Sequence, residues 1–128
     1  MKLVLQEQGA RELRAWLGAR PDHCSSVLGT IELRRAVRRS TERTGLEDVG
    51  AAVSRQVEDV LAGVAVLTFD DTIAARAARL DPPSLRTLDS IHLATALSVD
   101  PLDGFVTYDD RLSQAANVAG LSVFAPGG

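Results

Sequence analysis

Residues 87–112 read TLDSIHLATALSVDPLDGFVTYDDRL, and this stretch decides the class of fold. The spacing of its residues predicts a helix from Thr87 to about Val99, with Thr87 as the N-cap. A strand is predicted over Gly104–Thr107, and another helix from Asp109 to Ala119. Because helices of this length separate the strands, the strands are expected to pair in parallel through crossover connections.

The same alternation of strands and helices extends outward to both ends of the chain. The further predicted strands are short segments at His23–Ser26, Val64–Thr68 and Leu121–Phe124. The further predicted helices are Gln8–Arg20, Leu28–Arg43, Glu47–Ala62 and a segment that follows Asp70-Asp71 and runs to Leu80. No internal repeat or linker divides these elements, so the sequence predicts one α/β layered domain over residues 1–128.

The composition restricts the classes of function. The 128 residues carry 14 basic and 17 acidic side chains, a net charge of −3, so no global basic field attracts nucleic acid. A nucleic-acid site must then be local, or must be built around a metal ion. The apolar run Val64–Leu67 is far shorter than the ~20 residues of a membrane helix. The single cysteine, Cys24, forms no internal disulfide, which fits a reducing cytosol.

Carboxylates follow two of the predicted strands, where a parallel sheet gathers its functional groups. Asp70-Asp71 follow one strand and Asp109-Asp110 follow another. Asp89 falls in the first turn of a helix, on the inward face near Leu93, where the helix dipole favours the ionised carboxylate. Glu32 borders the apolar stripe of an earlier helix. The pattern is compatible with an acidic metal site assembled from several segments.

Each of these acids also has a purely structural interpretation. The paired aspartates can cap helices, Asp89 can serve the helix dipole, and Glu32 can form a salt bridge with Arg35 or Arg39. His92 is interpreted as a packed helix histidine rather than a general base. A solvated helix face accounts for the basic run of Arg34, Arg35, Arg38, Arg39 and Arg43. Spacing alone leaves both interpretations open.

Three stretches in this order resemble the acidic motifs of PIN-domain ribonucleases, specifically the VapC toxins of bacterial toxin–antitoxin pairs. They are IELRRA at residues 31–36, LDSIHLATAL at 88–97 and FVTYDDRL at 105–112. The likeness runs from residue 2 to about residue 126. It implies a three-layer α/β/α sandwich with a mostly parallel sheet, and an endoribonuclease that depends on Mg²⁺ or Mn²⁺.

The resemblance also implies roles for individual residues and the identity of partners. Glu32, Asp89 and Asp109 would be the catalytic metal ligands, with Thr107 and Asp110 as accessory neighbours. Hard carboxylate oxygens suit Mg²⁺ or Mn²⁺ better than thiolate-preferring metals. The implied partners are an RNA substrate, a VapB-like antitoxin and a second copy of the chain, in the cytoplasm and without a membrane.

Two groups of side chains are candidates for contact with these partners. By charge alone, the candidates for holding RNA or for facing the antitoxin are Arg34, Arg35, Arg38 and Arg39. The early helices carry more apolar positions than one inward stripe needs, which predicts a homodimer or antitoxin interface. These positions are Leu13, Trp16, Val27, Leu28 and Ile31.

The chain also departs from the family pattern. VapC-like proteins begin with a strand that ends in an Asp-Thr/Ser-Ser-Ala type motif, whereas residues 1–5 are MKLVL and no acid precedes Glu7. We therefore expect the first strand and its aspartate to be missing and metal binding to be weak. A PIN fold that only binds an antitoxin or itself is the alternative. A receiver-like phosphoacceptor domain would use Asp70-Asp71 and Thr107, although its acceptor aspartate and lysine have no counterpart.

Overall fold

The computed structural model describes residues 15, 19, 23–45, 47–100 and 102–126 of the chain. Of the predicted helix Gln8–Arg20 only Ala15 and Ala19 are described, joined by a hydrogen bond from the Ala19 N–H to the Ala15 carbonyl (3.2 Å), so Leu13 and Trp16 lie outside the described residues. The N-terminal segment on which the expected loss of a first strand depends lies outside them as well.

Four strands and five helices form within the described residues. The strands are β1 (His23–Ser26), β2 (Val64–Leu67), β3 (Phe105–Val106) and β4 (Val123–Phe124). The helices are α1 (Val27–Thr44), α2 (Glu47–Ala62), α3 (Asp71–Ala78), α4 (Thr87–Leu97) and α5 (Asp110–Val118). Every element predicted between residues 23 and 126 is present, with ends that differ by a few residues. None of these five helices is long and apolar enough to cross a membrane.

The strands form two separate parallel pairs. β1 pairs with β2, with His23 opposite Val64 and Ser26 opposite Leu67. β3 pairs with β4, with Phe105 opposite Val123. The predicted parallel direction is confirmed. Within the described residues the two pairs do not join into the expected single sheet, because no strand of one pair is hydrogen-bonded to a strand of the other.

Side chains cap three of the helices at their N-termini. The Ser26 hydroxyl accepts a hydrogen bond from the Gly29 N–H (3.0 Å) at the start of α1, and Asp70 accepts from the Ile73 N–H (2.8 Å) at the start of α3. Asp109 caps α5 in the same way. The prediction that Thr87 caps α4 is wrong. Arg86 holds the N-cap position without a side-chain cap, and its guanidinium is directed to carboxylates instead.

Helix α4 lies between two apolar clusters. Its Leu93 is fully buried against Leu112 and neighbouring residues of α5, and its Ala94 is fully buried against Ile73 of α3. A separate cluster, centred on Val57, joins α2 to α1. Because α4 is fixed by neighbours on both sides, the polar groups on its first turns, Asp89 and His92, are held by a rigid support.

Candidate metal and nucleic-acid site

The two carboxylate oxygens of Asp109 have different partners. Oδ1 accepts a hydrogen bond from the Leu112 N–H at 2.9 Å, which is the cap of α5. Oδ2 lies 3.1 Å from a terminal nitrogen of Arg86. The pKa of Asp109 is lowered from its ordinary value, first by the hydrogen bond from Leu112 and then by the nearby charges of Arg86 and Arg111. Capping therefore leaves one oxygen of this carboxylate available for a cation.

Arg86 brings Asp89 and Asp109 together. Its Nε lies 3.2 Å from Oδ2 of Asp89, while its terminal nitrogen contacts Oδ2 of Asp109. The side chain of Asp89 is 17% exposed and that of Asp109 36% exposed, but that of Arg86 is 72% exposed. Two carboxylates from separate elements thus meet at one cation near the surface.

A pocket of about 510 Å³ opens beside Asp109 and Arg86. It is lined by Arg86, Tyr108, Asp109, Asp110 and Arg111. Asp110 is exposed in the first turn of α5, and the Thr107 hydroxyl accepts a hydrogen bond from the Asp109 N–H at 3.2 Å. The pocket therefore combines acidic groups that suit a metal ion with two arginines that suit a phosphate.

Glu32 is turned towards His92 of α4. Its Oε2 lies 3.3 Å from Nε2 of His92, a buried nitrogen that forms no hydrogen bond of good geometry. Nδ1 of the same ring lies 2.8 Å from the hydroxyl of Ser26. The same hydroxyl accepts a hydrogen bond from the Gly29 N–H, so His92 is tied to the start of α1. His92 is thus a hydrogen-bonded neighbour of the acidic site.

Of the three acids implied as ligands, Asp89 and Asp109 share a contact with Arg86, whereas Glu32 contacts His92. Among the residues that the structure describes, no three His, Cys, Asp or Glu side chains are placed to hold one metal ion. Asp89 and Asp109 do fit a divalent cation, since both already direct an oxygen at a positive group. Glu32, on α1, lies beside His92, which follows Asp89 on α4 by about one helical turn. The convergence of all three carboxylates stays a prediction.

The structure assigns other roles to several residues that the sequence had singled out. Arg34 forms a two-bond ion pair with Glu58 of α2, at 2.9 and 3.0 Å, and Arg38 lies 3.5 Å from Glu42. These contacts satisfy two of the four arginines proposed for RNA. Sequence reasoning missed Arg86 and Arg111. The available signal was an arginine three residues before Asp89, a spacing that allows an ion pair on a helix.

The Asp70-Asp71 pair has a structural role. Asp70 caps α3, and Asp71 lies in the first turn, where the helix dipole favours an acid. Both side chains are exposed, and neither lines the pocket beside Asp109. The capping interpretation therefore holds for this pair. This arrangement does not support a role for Asp70 and Asp71 in a receiver-like phosphoacceptor site.

A family comparison identifies the class to which this fold and site belong. The model of the PIN domain matches residues 1–118, so the chain belongs to the PIN domain family. No solved structure gives a significant match to the chain.

Relatives that it resembles include VapC ribonucleases of Mycobacterium tuberculosis. Ribonuclease VapC35 is 39% identical over 132 residues, which cover 99% of this chain and 91% of the relative. Ribonuclease VapC46 is 38% identical over 128 residues, with 98% and 91% covered. Ribonuclease VapC47 is 34% identical over 131 residues, with 98% and 90% covered. The resemblance found in the sequence is therefore confirmed over nearly the whole chain.

Proposed function

We propose that this chain, as one PIN-type domain, is a VapC-like endoribonuclease that cleaves RNA phosphodiester bonds with Mg²⁺ or Mn²⁺. The observation that carries the proposal is the meeting of Asp89 and Asp109 at a single cation beside an open pocket. The proposed ribonuclease activity is inferred from the VapC relatives, which are named as ribonucleases.

Each residue of the site has a role that follows from its position. Asp89 and Asp109 would hold the metal ion, and Glu32 would add negative charge from α1 beside His92. When bound, a divalent cation lowers the pKa of a water molecule and neutralises charge on the phosphodiester. Arg111 lines the pocket and offers a positive group to the RNA backbone. Thr107 holds the backbone of Asp109 in place.

The test is cleavage of a structured RNA by the purified chain with Mg²⁺ or Mn²⁺, against an EDTA control. We expect Asp89→Asn and Asp109→Asn to lower the rate on the order of a hundredfold or more, because each removes one charge from the ion. Asparagine also caps helices, so Asp109→Asn keeps the fold of α5. Asp70→Asn is the matched control, since Asp70 caps α3 away from the pocket. Equal cleavage by all three variants would show that the site lies elsewhere.

For partners, the proposal includes a VapB-like antitoxin and a homodimer, acting in the cytoplasm. Ile31 of α1 is 46% exposed, next to Glu32, which suits an apolar contact beside the acidic site. We expect Ile31→Glu to weaken self-association by about tenfold or more in sedimentation velocity, because it places a charge in an apolar interface. Val118→Glu is the control, since Val118 is 85% exposed on α5. A wild-type chain that stays monomeric at tens of micromolar would contradict the homodimer.

The second candidate is a non-catalytic PIN module that binds an antitoxin or its own copy. The ion pairs of Arg86 with Asp89 and Asp109 favour it, because a guanidinium already contacts one oxygen of each carboxylate. A chain that binds a co-expressed partner and cuts no RNA with either metal would establish this candidate in place of the nuclease.

A further inference from the structure

Arg86 contacts the same oxygens that a metal ion would need. Oδ1 of Asp109 is engaged by the Leu112 N–H, so Oδ2 is the oxygen left for a cation, and Arg86 lies 3.1 Å from it. On Asp89, Arg86 again contacts Oδ2, at 3.2 Å. A divalent cation and the guanidinium therefore compete for Oδ2 of Asp109 and for the carboxylate of Asp89.

The balance of charge favours the divalent cation. Two carboxylates carry two negative charges, and the single charge of Arg86 neutralises only one of them. The side chain of Arg86 is 72% exposed, and exposed ion pairs contribute at most about 1 kcal/mol each, so the guanidinium can leave at a modest cost. A flexible arginine stem allows the movement without any change in the helix that follows.

Once displaced, Arg86 still belongs to the pocket in which RNA would lie. The pocket is lined by both Arg86 and Arg111. A guanidinium binds two oxygens of a phosphate at once, which makes arginine well suited to a phosphodiester. A phosphate of RNA bound in the pocket would thus be a second anionic partner for Arg86 after the metal ion has displaced it.

We propose that Arg86 is an exchangeable counter-ion, which pairs with Asp89 and Asp109 in the metal-free chain and binds the RNA phosphodiester when a divalent cation takes its place. This inference rests on the proposed function, since it assumes the same metal site and an RNA ligand. Its consequence is reciprocal coupling. Metal binding frees Arg86 for phosphate, and phosphate binding removes Arg86 from the carboxylates, so each ligand raises the affinity for the other.

The first experiment measures Mn²⁺ binding to the full chain by electron paramagnetic resonance, without nucleic acid. We expect Arg86→Gln to bind Mn²⁺ about three- to tenfold more tightly than the wild type, because the competing cation is gone. Arg34→Gln is the matched control, since Arg34 also forms an exposed carboxylate pair, but with Glu58. It should leave the Mn²⁺ affinity unchanged. Thermal unfolding verifies that each variant is folded. Arg86→Lys, whose single ammonium cannot bridge both carboxylates in the same way, should give an intermediate affinity.

The second experiment measures binding of a 2′-O-methyl RNA, which cannot be cleaved, with and without saturating Mn²⁺. We expect Mn²⁺ to raise the RNA affinity of the wild type more than that of Arg86→Gln. The logarithm of the RNA affinity falls as the logarithm of the salt concentration rises. With Mn²⁺ present, Arg86→Gln should make this fall less steep by about 0.7, which corresponds to the loss of one phosphate contact on a single strand. Arg34→Gln should keep the wild-type slope.

The outcomes separate this inference from the proposed function. If RNA is cleaved but Arg86→Gln binds Mn²⁺ no more tightly than the wild type, the exchange is wrong and the nuclease stands. If Arg86→Gln shows both expected effects and the wild type cuts no RNA, the exchange stands and the nuclease is wrong. If no variant binds Mn²⁺ at millimolar concentration, or if Asp109→Asn binds it as the wild type does, both are overturned.

Discussion

At the scale of single residues, Asp109 combines two roles that the sequence presents as alternatives. A carboxylate has two oxygens, and here one caps α5 while the other faces Arg86. Both roles favour the ionised form, because hydrogen bonds and positive charges around a carboxylate stabilise its negative state. The pKa of Asp109 is accordingly lowered.

This lowered pKa predicts a dependence of stability on pH. A carboxyl whose pKa is lower in the folded than in the unfolded chain stabilises the fold above the unfolded pKa, which is about 4 for aspartate. The contribution is lost as the pH falls through the folded pKa. Asp109→Asn resembles the protonated side chain at every pH. We therefore expect the wild type to exceed this variant in free energy of unfolding at pH 6, and the difference to shrink towards pH 3.

Urea denaturation in EDTA, at several pH values between 3 and 6, measures this difference. Asp103→Asn, at an exposed residue before β3, is the control for a general loss of negative charge. If the difference in free energy of unfolding between the wild type and Asp109→Asn stays constant from pH 3 to pH 6, ionisation of Asp109 does not contribute to stability.

At the scale of elements, the packing of α1 against α2 depends on a glycine. Gly50 of α2 is buried, and a Cβ atom at this position would overlap the side chain of Thr41 on α1. The absence of a side chain lets the two helices approach closely. The same helix pair is joined on its exposed side by Arg34 and Glu58, whose charges are largely solvated and therefore contribute little.

We expect Gly50→Ala to destabilise the chain by about 1–3 kcal/mol, because overpacking outweighs the gain in helix propensity of about 1 kcal/mol. The free energy of unfolding in urea measures the effect. Thr41→Ala, which removes most of the overlapping atoms, should recover part of the loss when combined with Gly50→Ala. Gly63→Ala is the control, since its Cβ would have only an ordinary contact at 3.7 Å. A stabilising Gly50→Ala would contradict the close approach.

At the scale of the whole molecule, α4 connects the site to the apolar interior. Its Asp89 and His92 face the polar site, while its Leu93, 0% exposed, packs with Leu112 of α5. The Leu112 N–H is also the cap partner of Asp109. The interior contact and the position of the carboxylate are therefore parts of one arrangement.

We expect Leu93→Ala to destabilise the chain by about 2–5 kcal/mol, because it leaves a cavity in a close-packed cluster. Leu88→Ala, on the same helix at a residue 36% exposed, should cost about 1 kcal/mol or less. Urea denaturation compares the two variants. Equal losses would show that the cluster around Leu93 does not carry the stability assigned to it.

The order of the elements between residues 23 and 126 and the parallel direction of the strands follow from local patterns in the chain. Helical spacing, apolar strands and turn residues are local signals, so they predicted α2 as Glu47–Ala62, the parallel pairs and a cap at Asp109. The motifs identified the family for the same reason, since they are contiguous in the chain. The contacts of Glu32 with His92, of Arg34 with Glu58 and of Arg86 with both Asp89 and Asp109 arise instead from the packing of separate elements. Ion pairs between elements distant in sequence depend on how those elements pack, and no periodicity within one segment records that packing.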